Sequence, residues 1–501
     1  MTDNPVLERL RSWLTSGNPA VALGAALGVA VMAGLVVGAL FGWLGPLLAL
    51  GGVGVLVVGA TLLRSTEWGL LAMLTLICLL PYAALPIEVG FRPTFLDLAL
   101  LAVFGVWLMR IVSRTQRVFD VTALGIPIFA FLVWMLVTFV AGLAHAPLSA
   151  TVLRRFVEVL LAIVLCLVVI NQVHRLEQIR RVTIALIAAG GLSGALGVLF
   201  YVLPGDWTVA ILSRLAVFNY PTGGILRYVE DDPNQPMRAI GTSIDPNALG
   251  GLMVIVAAVA LVQLFASRPA VPRRWLVLPA GAMVLCLLLT FSRGSMIGLA
   301  AGISLVGVLR YRRLLVALAG LAVLLLILPP TQVYVVRLVE GFQGQDLATQ
   351  MRFGEYKDAL ILIGRYPVLG VGFSGTPDID LYLGVSMVYL LIAEQVGLVG
   401  LFLFLVVVAT FFAIVLRALR HIPPGDEREG YLLAYTAALG GALAGGVFDH
   451  FFFNINFLHL VALFWVVIGL GVASARLGVT GVSEQTDENT HHPTRRSQMR
   501  L

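Results

Sequence analysis

Stretches of roughly twenty apolar residues recur along this chain from Pro19 almost to Ala475, separated by polar connections. A helix of that length crosses a bilayer and satisfies its backbone hydrogen bonds without water. Only 12% of the 501 residues are charged, against about a quarter in soluble domains. A soluble globular protein is therefore excluded, and the pattern predicts an all-α, polytopic transmembrane bundle of about fourteen spans.

The arginines give the predicted bundle an orientation. If the N-terminus is cytoplasmic, most basic residues fall in the inner connections, as the positive-inside rule requires. These inner residues are Arg64, Arg110, Arg114, Arg117, Arg175, Arg180, Arg181, Arg268, Arg273, Arg274, Arg310, Arg312, Arg313, Arg417, Arg420, Arg428 and Arg476. We therefore predict that both termini are cytoplasmic. The basic residues form no patch that would bind nucleic acid.

Three regions follow from this orientation. Residues 1–18 are predicted to be a cytoplasmic interfacial N-terminus, residues 19–475 a polytopic membrane domain, and residues 476–501 a disordered cytoplasmic tail. Two outer connections are long, at 204–246 and 329–385, and we expect them to carry short helices. The three cysteines lie in apolar runs, so they offer no disulfide or metal framework.

A set of basic residues lies on the outer side, against the positive-inside rule. It comprises Arg92, Arg154, Arg155, Arg214, Arg227, Arg238, Arg293, Arg337, Arg352, Arg365 and Lys357. A guanidinium presents a planar fork of donors that matches phosphate oxygens, so this set favours a lipid-linked phosphate or diphosphate. The alternative is that each arginine pairs with a nearby acid or a lipid headgroup.

Three outer stretches concentrate candidate site residues. In LTFSRGSM at 289–296, Arg293 interrupts an apolar sequence where two spans must turn, and a charge there indicates a functional site. In PMRAIGTSIDPNALG at 236–250, Arg238 is a candidate, while Asp245 and Asn247 either form a helix start or contact substrate.

The third stretch is RFGEYKDALILIGRYP at 352–367. Its apolar spacing predicts an amphipathic helix with Arg352 and Glu355 at its start and an end at Gly364 and Pro367. Such a helix can lie on the membrane and cover a cavity.

Followed by YLLIAEQVGLVG at 389–400, these stretches resemble the O-antigen ligase and O-antigen polymerase family of bacterial inner-membrane enzymes, over roughly residues 154–400. The resemblance implies a multi-pass glycosyltransferase of the inner membrane that uses no metal and no cofactor. It would move a glycan from undecaprenyl diphosphate to an acceptor sugar on the periplasmic side, in cell-surface polysaccharide or O-antigen biosynthesis. The implied partners are the lipid-linked donor, a glycan or lipid-glycan acceptor, membrane lipids and polysaccharide-assembly proteins.

The resemblance also assigns candidate residues. Arg238 and Arg293 match the family's arginines for the carrier diphosphate, and Arg352 is our third candidate for it. Secondary candidates for substrate contact are Asp245, Asn247 and Tyr389.

The chain departs from the ligase branch of this family at one place. That branch carries a His-Asn pair three residues before the Tyr-Leu that aligns with Tyr389, and here the pair is Ser386 and Met387. Because the histidine is the family's proposed general base, its absence favours a polymerase or another polysaccharide transferase over lipopolysaccharide ligation. The glycan, the acceptor and the oligomeric state stay open.

Inverting transfer also needs a group that takes the proton of the acceptor hydroxyl. Glu355 is the preferred candidate for this catalytic role beside Arg293, and His450, which follows Asp449, is another. The remaining outer candidates are His145, Glu230, Asp231, Asp232, Asp378 and Asp380. The last two could chelate a divalent cation, but we predict no metal.

A flippase or other secondary transporter for lipid-linked oligosaccharides is the alternative function. It would also have many spans and basic residues facing an anionic substrate, but internal repeats would be expected, and none is evident. A scaffold role would leave Arg293 and the outer arginines unexplained.

Overall fold

The computed structural model describes residues 66–88, 90–113, 122–328, 332–344, 347–375 and 384–490. All of them belong to the unit Thr66–Leu501. The predicted interfacial N-terminus at 1–18, the spans expected before residue 66 and residues 491–501 of the predicted tail lie outside the described residues. The described part is all-α, and its β structure is limited to two isolated bridges.

In chain order, the first eight helices are α1 (Thr66–Leu79), α2 (Phe95–Val112), α3 (Gly125–Gly142), α4 (Ala150–Gln172), α5 (Leu176–Val202), α6 (Gly205–Ser213), α7 (Pro246–Phe265) and α8 (Arg273–Leu289). The remaining helices are α9 (Arg293–Leu309), α10 (Arg312–Ile327), α11 (Gln332–Gln343), α12 (Leu347–Arg365), α13 (Val388–His421), α14 (Glu427–Gly445) and α15 (Leu458–Thr490).

Six of these helices are long and apolar enough to cross a membrane. They are α2, α3, α5, α7, α13 and the part Leu458–Gly478 of α15. The larger number of about fourteen spans stays a prediction. Helices α8, α9 and α10, which correspond to predicted spans, have only 16 or 17 residues each.

Helix α7 lies in the interior of the bundle. It is apolar on all sides, and 16 of its 20 residues are buried, because α5, α8, α9 and α14 pack around it. Asp245 caps its start by accepting a hydrogen bond from the Ala248 amide at 2.7 Å, and Pro246 occupies the first turn. The position of α7 is therefore fixed by contacts on every side.

Helices α9 and α14 cross in close contact through paired glycines. A β-carbon built on Gly298 would lie 2.8 Å from the Gly441 carbonyl oxygen and 3.1 Å from the Gly445 Cα, and Gly302 meets the Ala437 carbonyl even more closely. Small residues four apart allow this approach of two backbones. The contact fixes the N-terminus of α9 against the segment that follows α14.

Helix α13 is interrupted at Gly397, whose φ of 73° lies in the left-handed region that suits glycine. The carbonyls freed by the break are satisfied by other segments. Val371 and Gly372 donate their amides to the carbonyls of residues 394 and 395, both at 2.9 Å, and the Trp134 indole donates to the Val396 carbonyl. Irregular backbone at membrane depth is tolerated when protein groups satisfy it in this way.

The two long connections that are predicted to lie on the outer side carry helices, as expected. The first, 204–246, contains α6 and three short 3-10 turns, and the second, 329–385, contains α11 and α12. Helix α12 begins at Leu347, earlier than the sequence indicated, so Arg352 and Glu355 lie in its second and third turns. It ends at Arg365, next to the predicted stop at Gly364. At the other end of the chain, α15 extends over residues 476–490 of the predicted tail.

Candidate functional site

A cavity of about 230 Å³ lies where the N-terminus of α9, helices α11 and α12 and the segment after α14 meet. Its lining is Arg293, Gly294, Ile297, Gly341, Thr349, Arg352, Phe353, Tyr356 and Phe448. The volume is below the roughly 300–1,000 Å³ of cavities that hold a whole ligand, so it suits one small group. Two guanidinium groups among mostly apolar walls favour an anionic group, because charges interact strongly where the local dielectric constant is low.

Arg293 is the first residue of α9, directly after the turn from α8. Phe291 reverses the chain in this turn with a φ of 54°, a conformation rare for an aromatic residue. The backbone amides at the start of α9 and the helix dipole add positive potential beside the guanidinium. The sequence around Arg293 thus combines a fixed positive charge with a helix N-terminus.

Glycine at position 341 makes room for the Arg293 side chain. A β-carbon built on Gly341 would overlap Nη1 of Arg293 and lie 2.8 Å from its Cζ. Gly294 has a similar role on the other side of the cavity, where its β-carbon would lie 2.6 Å from the Phe448 Cβ. Gly341 therefore makes room for the guanidinium, and Gly294 makes room for Phe448.

Arg352 reaches the cavity from α12. It forms no hydrogen bond or ion pair with any residue that the structure describes, but it interacts electrostatically with Asp449, His450 and Tyr356. Burial raises the pKa of the Tyr356 hydroxyl, and Arg352 opposes this effect. The Arg352 guanidinium therefore keeps hydrogen-bonding capacity for a ligand.

The Glu355 carboxylate contacts the start of α13. Its Oε2 accepts two hydrogen bonds from Ser386, one from the backbone amide at 2.9 Å and one from the hydroxyl at 2.5 Å. Ser386 is the residue that stands in place of the ligase histidine. Glu355, the candidate base, is thus in direct contact with Ser386, where the chain departs from the ligase pattern.

Asp449 and His450 lie next to this contact, after the end of α14. Burial raises the pKa of Asp449 to about 8 and lowers the pKa of His450 to about 4, with Glu355 opposing the shift at His450. The imidazole is therefore neutral at pH 7. Its Nδ1 is buried and has no hydrogen-bond partner among the described residues.

Arg238 connects the stretch 236–250 to the turn between α8 and α9. Its Nε donates to the Thr290 carbonyl at 2.8 Å, and its Nη2 donates to the Asn247 side-chain oxygen. Arg238 also interacts electrostatically with Asp449. Arg238 is therefore bonded to the α8–α9 turn that Arg293 follows, although Arg238 does not line the 230 Å³ cavity.

The secondary candidates make contacts within the protein. Asp245 caps the start of α7, which is the helix-start role that the sequence offered beside substrate contact. The Asn247 side-chain oxygen accepts a hydrogen bond from Arg238. The Tyr389 hydroxyl donates to the Leu443 carbonyl at 2.8 Å, which joins α13 to α14. These three side chains support the site instead of lining the 230 Å³ cavity.

Two of the arginines predicted to lie on the outer side pair with acidic residues. Such pairing is the alternative to phosphate binding that the sequence left open. Arg154 forms ion pairs with Asp97 at 3.0 Å and with Glu158 at 3.2 Å, and Arg92 lies 3.8 Å from Glu88. Asp378 and Asp380 lie outside the described residues. Among the residues that the structure does describe, no group of three or more metal-ligating side chains is found.

Sequence reasoning missed Gly341, Thr349 and Phe448. Thr349 and Phe448 carry no charge, and Gly341 gains its role only from a contact with a distant helix. One weak signal was available for Gly341, since it is a glycine inside the helix-like pattern VVRLVEGF at 335–342.

Comparison with known proteins gives one finding. A search of the curated proteins found no match. Residues 278–405 match the family model described as Wzy_C, O-Antigen ligase. This stretch includes Arg293, Gly341, Arg352, Glu355 and Ser386, while Phe448, Asp449 and Arg238 lie outside it. This part of the chain is therefore similar to the O-antigen ligase family, and it belongs to a membrane protein with several candidate spans.

Proposed function

We propose that this protein is a bacterial inner-membrane glycosyltransferase that moves a glycan from an undecaprenyl diphosphate carrier to an acceptor sugar on the outer side of the membrane. The observation that carries this proposal is the meeting of Arg293 and Arg352 in one cavity, since both residues lie within the part of the chain that matches the O-antigen ligase family model. The cavity is small, and the charged side chains among its described lining are two guanidinium groups, which suits a diphosphate better than a sugar.

In the proposed reaction the acceptor hydroxyl oxygen attacks the anomeric carbon of the donor glycan. The bond from that carbon to the diphosphate oxygen breaks, and the electron pair leaves with the diphosphate. Arg293 and Arg352 stabilise the charge that develops on this leaving group, and the start of α9 adds to their effect. Arg238 supports the α8–α9 turn and adds a third positive charge nearby.

The proton of the acceptor hydroxyl needs a base, and we assign this role to Glu355. Its contact with Ser386 uses Oε2 and fixes the orientation of the carboxylate, while Oε1 takes no part in that contact. A serine that orients a carboxylate in place of the ligase histidine supports polymerisation, or another polysaccharide transfer, over lipopolysaccharide ligation. His450, neutral and adjacent, is the second candidate for the base.

The test is transfer by the purified protein in proteoliposomes that contain an undecaprenyl diphosphate oligosaccharide. We expect longer glycan without any added acceptor, and loss of product in Arg293→Ala and Arg352→Ala. Arg214→Ala is the matched control, because Arg214 is exposed in the same outer part and does not line the 230 Å³ cavity. Full activity of both cavity variants would refute the proposed site.

Metal independence is part of the proposal. Guanidinium groups alone stabilise the leaving group in this scheme, so we expect turnover to persist in excess EDTA. Inactivation by EDTA that Mg²⁺ or Mn²⁺ reverses would reject the scheme and bring Asp378 and Asp380 into consideration as ligands.

The site also requires a defined orientation in the membrane. We propose about fourteen spans with both termini cytoplasmic, which puts the cavity on the outer side. A cysteine in place of exposed Thr222 should then react with an impermeant reagent in intact cells, and one in place of Arg273 should not. Labelling at Arg273 from outside would overturn both the orientation and the site.

A further inference from the structure

A second, larger cavity of about 580 Å³ lies apart from Arg293 and Arg352. It is formed by the loop between α1 and α2, the start of α4, the segments 219–227 and 243–245, and the start of α15. All of these segments are on the predicted outer side. The volume falls within the roughly 300–1,000 Å³ that is usual for a bound organic ligand.

Four arginines line this second cavity, and they differ in their partners. Arg154 is neutralised by acids, and Arg92 lies near exposed Glu88. Arg155, by contrast, donates to the neutral Asn456 amide, and burial together with the adjacent Arg154 lowers its pKa. Arg227 is exposed and has no partner among the described residues. Neither Arg155 nor Arg227 thus forms an ion pair with a described carboxylate, although Glu158 interacts electrostatically with Arg155.

Neutral polar groups in the second cavity also lack partners. Ser243 and His459 line it with about 1% of each residue exposed, and the Ser243 hydroxyl and the His459 Nε2 form no hydrogen bond with any described residue. Leaving such groups unsatisfied is costly unless a ligand or water completes them. Asn219 and Asn456 add amide groups, and the Tyr82 ring packs edge-on against His459 at 5.1 Å. Amides, hydroxyls and aromatic faces together are the groups that bind sugar rings and their hydroxyls.

The two cavities share one loop. The segment between α14 and α15 lines the small cavity at its start, through Phe448, and the large cavity at its end, through Asn456. A second link lies before α7, where Asp245 lines the large cavity and Asn247 holds Arg238. A glycan that reacts at the small cavity therefore has the large cavity beside it.

We propose that the large cavity binds a carboxylate-bearing sugar unit of the glycan substrate, with Arg155 and Arg227 on the carboxylate and Ser243, His459 and the two asparagines on the hydroxyls. This inference rests on the proposed function for the statement that the sugar belongs to the transferred or accepting glycan. The buried neutral groups favour a sugar over a phospholipid headgroup, which would leave them unpaired.

Binding can be measured by isothermal titration calorimetry on the full-length protein in detergent. The probes are trigalacturonate, which is acidic, and maltotriose, a neutral trimer of similar size. We expect trigalacturonate to bind and maltotriose to bind at least about tenfold more weakly, since a hydrogen bond to a charged group contributes roughly 1.5–3 kcal/mol. Equal affinity for the two trimers, or no binding of trigalacturonate, would overturn the inference.

The arginines are tested by Arg155→Gln and Arg227→Gln. Each should weaken trigalacturonate binding about tenfold, whereas Arg214→Gln, at an exposed arginine outside both cavities, should not. Arg227 is exposed, so its variant is informative even if Arg155→Gln folds poorly. Unchanged trigalacturonate affinity in Arg227→Gln would overturn the assignment. The assignment would also fail if phosphatidylglycerol displaced trigalacturonate and this displacement required Arg227.

The outcomes separate this inference from the proposed function. Arg293→Lys should lower transfer about 10²-fold and leave trigalacturonate binding intact, because Arg293 does not line the large cavity. Transfer by the wild-type protein without trigalacturonate binding would reject the sugar site alone. Binding without any transfer would reject the proposed function alone.

Discussion

Gly341→Ala is the substitution that most directly tests how Arg293 is positioned. The added β-carbon would overlap Nη1 of Arg293 and lie 2.8 Å from Cζ. Carbon atoms in contact normally lie roughly 3.5–4.0 Å apart, so the guanidinium must move by about 1 Å. A misplacement of about 1 Å can reduce a rate about 10²-fold, which corresponds to roughly 2.7 kcal/mol of transition-state stabilisation.

Transfer in proteoliposomes measures this effect, with Gly354→Ala as the matched control. A β-carbon on Gly354, in α12, meets nothing within 4 Å, so this variant should keep normal turnover. We expect kcat of Gly341→Ala to fall about 10²-fold while its melting temperature stays close to that of the control. Normal turnover in a correctly inserted Gly341→Ala protein would refute the claim that Gly341 positions Arg293.

Three further predictions concern charge, orientation and pH. Arg293→Lys keeps the charge but loses the planar fork, so kcat should fall about 10²-fold in the transfer assay, and normal kcat would return Arg293 to a structural role. Ser386→Ala removes one of the two hydrogen bonds to Glu355 and should lower kcat about tenfold, whereas Ser386→Thr should retain activity; equal activities would contradict the orienting role. Burial raises the pKa of Asp449 from 3.8 to about 8, so the unfolded chain releases a proton that the folded protein keeps. The wild-type protein should therefore lose stability relative to Asp449→Asn as pH rises between about 4 and 8, and a constant difference in melting temperature would count against this.

The sequence was sufficient for the parts of the molecule that depend on local composition. Long apolar runs predicted an all-α membrane bundle, and an arginine in an apolar context identified Arg293. The resemblance to O-antigen ligases was confirmed over residues 278–405. Arg352 was found because it lies at the polar part of an amphipathic pattern, although α12 begins earlier than that pattern indicated.

Features that depend on long-range packing were beyond the sequence. The role of Gly341 arises from contact with another helix, and the break at Gly397 depends on amides donated by residues 371 and 372. The pairing of Arg154 with Asp97 was equally hidden, because Asp97 lies on a different helix. A single sequence carries no information about which distant segments meet, and each of these roles depends on such a meeting.

The break in α13 has a mechanical consequence. The half before Gly397 carries Tyr389 and is held by residues 371 and 372, while the half after it has exposed apolar residues such as Phe402. When bilayer thickness changes, a spanning helix adjusts by tilting. The left-handed joint lets the second half tilt while the first half keeps its place, so turnover should change little between bilayers of shorter and longer acyl chains. An alanine at position 397 would overlap the Val368 carbonyl and stiffen the joint, and the same assay should then show a dependence on lipid length.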